Sequence, residues 1–236
     1  MSNTAVATPA ADAAVTRIPL KGLRGAVARS MAQGWAVPRV AMTAEVDVTR
    51  VEAHRAALQG ELGSAVKLTL NAYVLRAVAL TLAEFPRLNA YLKEDIELQP
   101  EINLGFAVAM AEGLMVPVIK GADGKSIADI AYEARELADG ARSGKLSPGA
   151  YQRGTFTVTN LGMTGIDSFT PIISAPQVAI LGITRVQTKP VVRDGFVACA
   201  PMMGLHLVFD HRAVDGYPAA LFLTALKQRL EAATSL

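Results

Sequence analysis

Residues 205–216 read Leu205-His206-Leu207-Val208-Phe209-Asp210-His211-Arg212-Ala213-Val214-Asp215-Gly216. The stretch opens as an apolar strand and then breaks into Asp-His-Arg-Ala-Val-Asp-Gly. From Pro218 a helical pattern follows, with Phe222, Leu226 and Leu230 on one face. His211 and Asp215, four apart at a strand-to-helix turn, can hold an imidazole at a pocket mouth. A neutral imidazole is the usual group for taking a proton near pH 7. Alone, such a pair reads as a surface histidine beside a helix start.

Upstream of this stretch, strand and helix patterns are interspersed. Val191 to Val197 reads as a hairpin turning at Asp194-Gly195. Gln177 to Gly182 and Gly154 to Asn160 read as strands. Ser126-x-x-Asp129 caps a helix carrying Ile127, Ile130, Ala134, Leu137 and Ala141 on one face. Ile102 to Met110 alternates and turns at Gly113 into a second strand, with Pro117 marking an edge, a bulge or a strand end. Lys67 to Glu84 is a helix apolar on most sides, ended by Pro86. Val40 to Val48 alternates as a half-buried strand, and Thr49-x-x-Glu52 then predicts a capping box. Residues 20–34 read as a short helix. Hairpins among the strands argue against an all-parallel sheet, so the expected class is α+β, a mixed sheet flanked by helices.

The chain has 236 residues, 51% of them apolar, and a formal net charge of +2. One large domain over residues 16–236 is expected, preceded by an Ala/Pro-rich arm or linker over residues 1–15. The balanced charge gives no case for nucleic acid or for a membrane surface, and no apolar run is long enough to span a bilayer. The single cysteine, Cys199, forbids an internal disulfide and leaves no metal cluster on ligand count. It sits among apolar residues and is expected as a packed core thiol. The N-terminus has neither a basic nor an apolar signal region, so a cytoplasmic location is expected. The glycines at 162–165 lack the lysine and spacing of a phosphate loop.

Asp-His-Arg-Ala-Val-Asp-Gly resembles the signature of the dihydrolipoamide acyltransferase components of 2-oxo acid dehydrogenase complexes, which share the chloramphenicol acetyltransferase fold. Further segments stand in that family's order: Pro19-Leu20 through Arg24 to Met31, Val46-Asp47-Val48-Thr49, Gly113-Leu114-Met115-Val116-Pro117-Val118, Phe156-Thr157-Val158-Thr159-Asn160-Leu161-Gly162, and Pro176-Gln177-Val178-Ala179-Ile180-Leu181-Gly182. One departure is Arg39, where the family usually has histidine after proline.

The resemblance implies His211 as the general base on the incoming thiol and Thr159 as hydroxyl donor to the tetrahedral oxyanion. It implies Asp215 as the second acidic position, holding the turn, with Arg24 as a basic residue pairing near it. The substrates it implies are coenzyme A and a lipoyl group supplied by another domain or chain, with no metal. The Ser-Phe-Thr-Pro at 168–171 resembles acetyl-type members. The implied assembly is a homotrimer with sites shared between subunits, standing alone or joined into a cage of twenty-four. The implied partners are lipoyl domains and the dehydrogenase components. An acyltransferase of this fold acting on a carrier protein or small molecule is the alternative, followed by a structural core without turnover.

Overall fold

The computed structural model describes residues 15–64, 66–110, 113–233 and 236. Residues 1–14 of the expected arm, and Thr234 and Ser235 of the tail, lie outside that set. In chain order the elements are α1 (Gly22–Trp35), β1 (Arg39–Asp47), α2 (Thr49–Leu62), α3 (Leu70–Glu84), β2 (Ala90–Leu92), β3 (Ile96–Leu98), β4 (Leu104–Phe106) and β5 (Val108–Met110). There follow β6 (Gly113–Met115), β7 (Val118–Ile119), α4 (Ile127–Arg142), β8 (Phe156–Asn160), β9 (Ala179–Arg193), β10 (Phe196–Asp210) and α5 (Gly216–Ala232).

Six strands form one sheet in the order β1-β10-β9-β8-β4-β7. β8 runs parallel to both β9 and β4, while β1–β10, β10–β9 and β4–β7 are antiparallel. The sheet is therefore mixed, and the α+β expectation holds. Strand alternation decides which face takes the helices. On β1, Val40, Met42, Ala44 and Val46 turn to the main core, while Ala41, Thr43 and Glu45 are exposed. Phe156 and Val158 of β8, Leu181 and Ile183 of β9, and Leu205, Leu207 and Phe209 of β10 join them.

α3 lies within this core, with nine of its residues buried, because both of its sides are apolar. Thr69 caps it, its hydroxyl accepting from the Ala72 N–H at 3.2 Å. Phe222 of α5 links the layers, its ring 5.8 Å from Phe85 and 6.0 Å from Phe156. Burying each such side chain contributes about 1.5–3 kcal/mol. The other face of the sheet carries a smaller cluster of Ile173, Ile180 and Val208, with Val37 against it.

Three local expectations need correction. The Thr49 capping box does not form: the N-cap is Val48, and Asp47 Oδ1 takes both the Thr49 N–H at 2.9 Å and the Thr49 hydroxyl at 2.5 Å. A carboxylate two residues earlier outcompetes the hydroxyl. Burial pushes the Asp47 carboxyl up, but the hydrogen bonds from Thr49 and Arg193 outweigh it and hold it below its usual range. The single strand read over 102–110 is two. β4 joins the large sheet and β5 pairs with β6, broken at Ala107, whose N–H donates to Val158 O at 3.0 Å. Cys199 is exposed rather than packed, because β9 and β10 run on past the helical layer as a two-stranded ribbon.

Candidate active site

β10 ends at Asp210, and the next five residues form the turn into α5. The turn is locked from inside. The Asp210 carboxylate is buried and takes the Arg212 N–H at 3.0 Å, Arg212 Nε at 3.0 Å and Arg212 Nη2 at 2.6 Å. The hydrogen bond to Asp210 raises the Arg212 guanidinium above its ordinary value. The Asp210 carbonyl accepts from the Ala213 and Val214 N–H groups, each at 3.0 Å. Asp210 and Arg212 thus shape the loop and leave His211 facing outward.

His211 is pinned by its backbone, whose N–H donates to Pro38 O at 3.0 Å. Its ring lies 6.0 Å from that of Phe209, and its side chain is 49% exposed. Nδ1 stands 4.0 Å from Asp215 Oδ1. Asp215 is the N-cap of α5 but makes no side-chain cap bond. A carboxylate on the Nδ1 side leaves Nε2 free to take a proton.

The structure does not bring the other two expected residues to His211. Arg24 is exposed on α1, and the ion contact of Asp215 among the described residues is His211. The Arg24–Asp215 pair expected from the resemblance is therefore not made within the chain: the C-terminal end of α1 packs instead against Ile172 and Ile173. Thr159 lies on β8 opposite Gly182, which in turn pairs with His206. Asp210 N–H donates to Val178 O, so His211 sits five residues along the sheet from Thr159 and two strands across. Strand spacing puts that at roughly 19 Å.

Thr159 and Thr157 share the sheet face turned away from the main core, to which their neighbours Phe156 and Val158 belong. Beside them a cleft of about 410 Å³ is lined by Tyr91, Arg153, Thr157 and Gln177 among others. There the Thr157 hydroxyl donates to Gln177 Oε1 at 2.7 Å and Gln177 Nε2 donates to Gly154 O at 2.8 Å. Burial raises the Tyr91 hydroxyl above its usual range. A larger cavity of about 580 Å³, between Asp47, Arg50, Arg193 and Glu231, lies at the far end of β1 from His211.

Sequence reasoning left out His206, which alternation gives no reason to single out. It is 5% exposed, with Nδ1 3.0 Å from Thr43 Oγ1. Among the described residues no three His, Cys, Asp or Glu side chains gather to hold a metal, and no helix is long and apolar enough to cross a membrane.

Residues 12–236 match the family model described as 2-oxoacid dehydrogenases acyltransferase (catalytic domain). The chain is 40% identical over 231 residues to the dihydrolipoyllysine-residue acetyltransferase component of the pyruvate dehydrogenase complex of Bacillus subtilis, covering 96% of this chain and 52% of that protein. It thus spans about half the length of that relative. A probable dihydrolipoamide acetyltransferase from Listeria monocytogenes superposes with a TM-score of 0.88 at 39% identity, over 94% of this chain and 96% of that one. The cubic core of a pyruvate dehydrogenase multienzyme complex superposes at 0.89 and 35%, over 95% and 96%. Chloramphenicol acetyltransferase, at 0.55 and 16% identity over 86% and 94%, shares the fold. The chain belongs to the family of 2-oxoacid dehydrogenase acyltransferase catalytic domains.

Proposed function

We propose that this chain is the catalytic core of a dihydrolipoamide acetyltransferase, moving acetyl between a lipoyl arm and coenzyme A in a 2-oxo acid dehydrogenase complex. The names of the relatives support acetyl as the group and pyruvate dehydrogenase as the setting. The lipoyl arm comes from another domain or chain.

In the direction that forms acetyl-coenzyme A, His211 Nε2 takes the proton from the coenzyme A thiol. The thiolate attacks the carbonyl of acetyl-dihydrolipoamide, and the oxyanion accepts a hydrogen bond from Thr159. One such donor is typically worth about 3–4 kcal/mol. Collapse breaks the bond to the lipoyl sulfur, which takes the proton back from the imidazolium. Asp215 steadies the imidazolium from the Nδ1 side.

The observation that carries this reading is the separation of roughly 19 Å between His211 and Thr159 on one chain, set by sheet register. Neither group alone can do the transfer, so the working site is built from His211 of one subunit and Thr159 of the next, in a closed ring of three. Arg24 then reaches Asp215 only across a subunit boundary. The cubic-core neighbour supports a larger cage, whereas Leu236, which would be the tail contact, lies partly buried against its own core.

Mixing decides it. Separately purified His211→Ala and Thr159→Ala proteins should each be nearly inactive in moving acetyl from acetyl-coenzyme A to dihydrolipoamide. After dissociation and joint reassembly, about a quarter of the sites should hold both groups and activity should return. A mixture as inactive as its parents would sink the shared site. Wild-type protein that never transfers acetyl would sink the enzyme itself.

A further inference from the structure

On the face of the sheet turned away from the main core one row runs Thr159 on β8, Gly182 on β9, His206 on β10 and Thr43 on β1. Their chain neighbours Val158, Leu181, Ile183, Leu205, Leu207, Met42 and Ala44 belong to the core on the other face, so all four turn away from it. Phe169 lies over this row. A Cβ added at Gly182 would meet its ring at 2.8 Å, so only glycine lets the ring sit there. The same ring lies against His206, with centroids 5.9 Å apart and planes at 43°.

His206 is buried, and its Nε2 has no hydrogen-bond partner among the described residues. A buried nitrogen left unpaired costs free energy that a leucine would avoid. What the imidazole supplies instead is a fixed ring angle, set by the bond between Nδ1 and Thr43 Oγ1 at 3.0 Å. Burial also keeps the ring neutral, below its ordinary pKa. Thr43, His206 and Phe169 thus make a chain of contacts that ends one strand spacing, about 4.8 Å, from Thr159.

We infer that His206 is a positioning residue that holds Phe169 as a wall beside Thr159, restricting the transferred acyl group to short chains. The inference rests on the reading of Thr159 as the oxyanion donor. A carbonyl bonded to that hydroxyl extends its acyl chain within reach of the Phe169 ring. A methyl group fits beside the ring, and each further methylene must displace it.

The test is kcat/KM for acetyl-, propionyl- and butyryl-coenzyme A with dihydrolipoamide. The wild type should lose about tenfold or more per added methylene. Phe169→Ala should raise the butyryl-to-acetyl ratio by about tenfold, with Phe169→Leu as the gentler variant should the alanine protein not fold. Thr43→Val leaves both rings in place but frees the imidazole. It should raise the ratio about threefold, a loosened packing contact being worth less than a removed one. Thr43→Ser should restore the wild-type ratio, and His206→Leu should match Thr43→Val. Active wild type with the same ratio in every variant overturns the wall. A ratio that moves with Phe169 alone overturns the part given to His206. Wild type that transfers no acyl group at all defeats the enzymatic reading beneath both.

Discussion

His211 owes its place to Asp210, whose carboxylate closes on Arg212 and whose carbonyl takes the Ala213 and Val214 N–H groups. His211→Ala removes the proposed proton acceptor without touching that lock. The protein should fold normally and lose turnover by about 10²–10⁴-fold, measured by acetyl transfer to dihydrolipoamide. Activity retained in a folded variant would take His211 out of the chemistry. His206 carries a different consequence. Its folded-state pKa lies below the ordinary 6.5, so the unfolded chain binds that proton more readily. Its stability contribution is full above pH 6.5 and fades as pH falls below it. Denaturant midpoints of wild type should therefore drop between about pH 7.5 and pH 5 more steeply than those of His206→Leu. Equal slopes would mean that the ring is not held neutral. The turn itself was legible in the sequence because one short string carries all its parts. The distance from His211 to Thr159 was not, since it depends on pairing register that no local pattern encodes.

At the scale of elements, spacing spoke clearly where no rival group was near. Ser126 and Asp129 form the full capping box read from their spacing: the Ser126 hydroxyl accepts the Asp129 N–H at 3.1 Å, and Asp129 Oδ2 takes the Ser126 N–H at 3.1 Å. Those bonds from Ser126 hold the Asp129 carboxyl below its usual range. Ser126→Ala should cost about 0.5–2 kcal/mol in a denaturant titration. Thr49→Ala at the start of α2 should cost less, because Asp47 still accepts the backbone N–H there. Equal costs at the two sites would show that the Asp47 bond does not replace a cap. The pattern at Thr49 misled because the competing carboxylate stands before the motif. The hairpin at Asp194-Gly195 was legible for a local reason too: both residues take positive φ, 52° and 83°, as that turn requires.

The molecule as a whole buries one face of its sheet under helices, while the other face carries only the smaller cluster of Ile173, Ile180 and Val208. The sequence pointed to the class of fold through its mix of strands and helices, but not to the ribbon formed by the far ends of β9 and β10. There β8 stops opposite Ile183 and β1 stops opposite Met202. Past the bonds of Arg185 N–H to Ile166 O and Val48 N–H to Pro201 O, no further strand pairs with the outer edges of β9 and β10 among the described residues. Val192, Phe196 and Val197 stand exposed on it at 74%, 77% and 78%. An open edge rich in valine and phenylalanine is what β-rich aggregates grow from. The backbone there is interrupted by Pro190 on β9, which has no N–H to offer, and flanked by Lys189 and Arg193. These residues bear on the shelf life of a concentrated solution rather than on catalysis. Pro190→Val should leave specific activity alone and make the protein scatter light within days at concentrations where wild type stays clear.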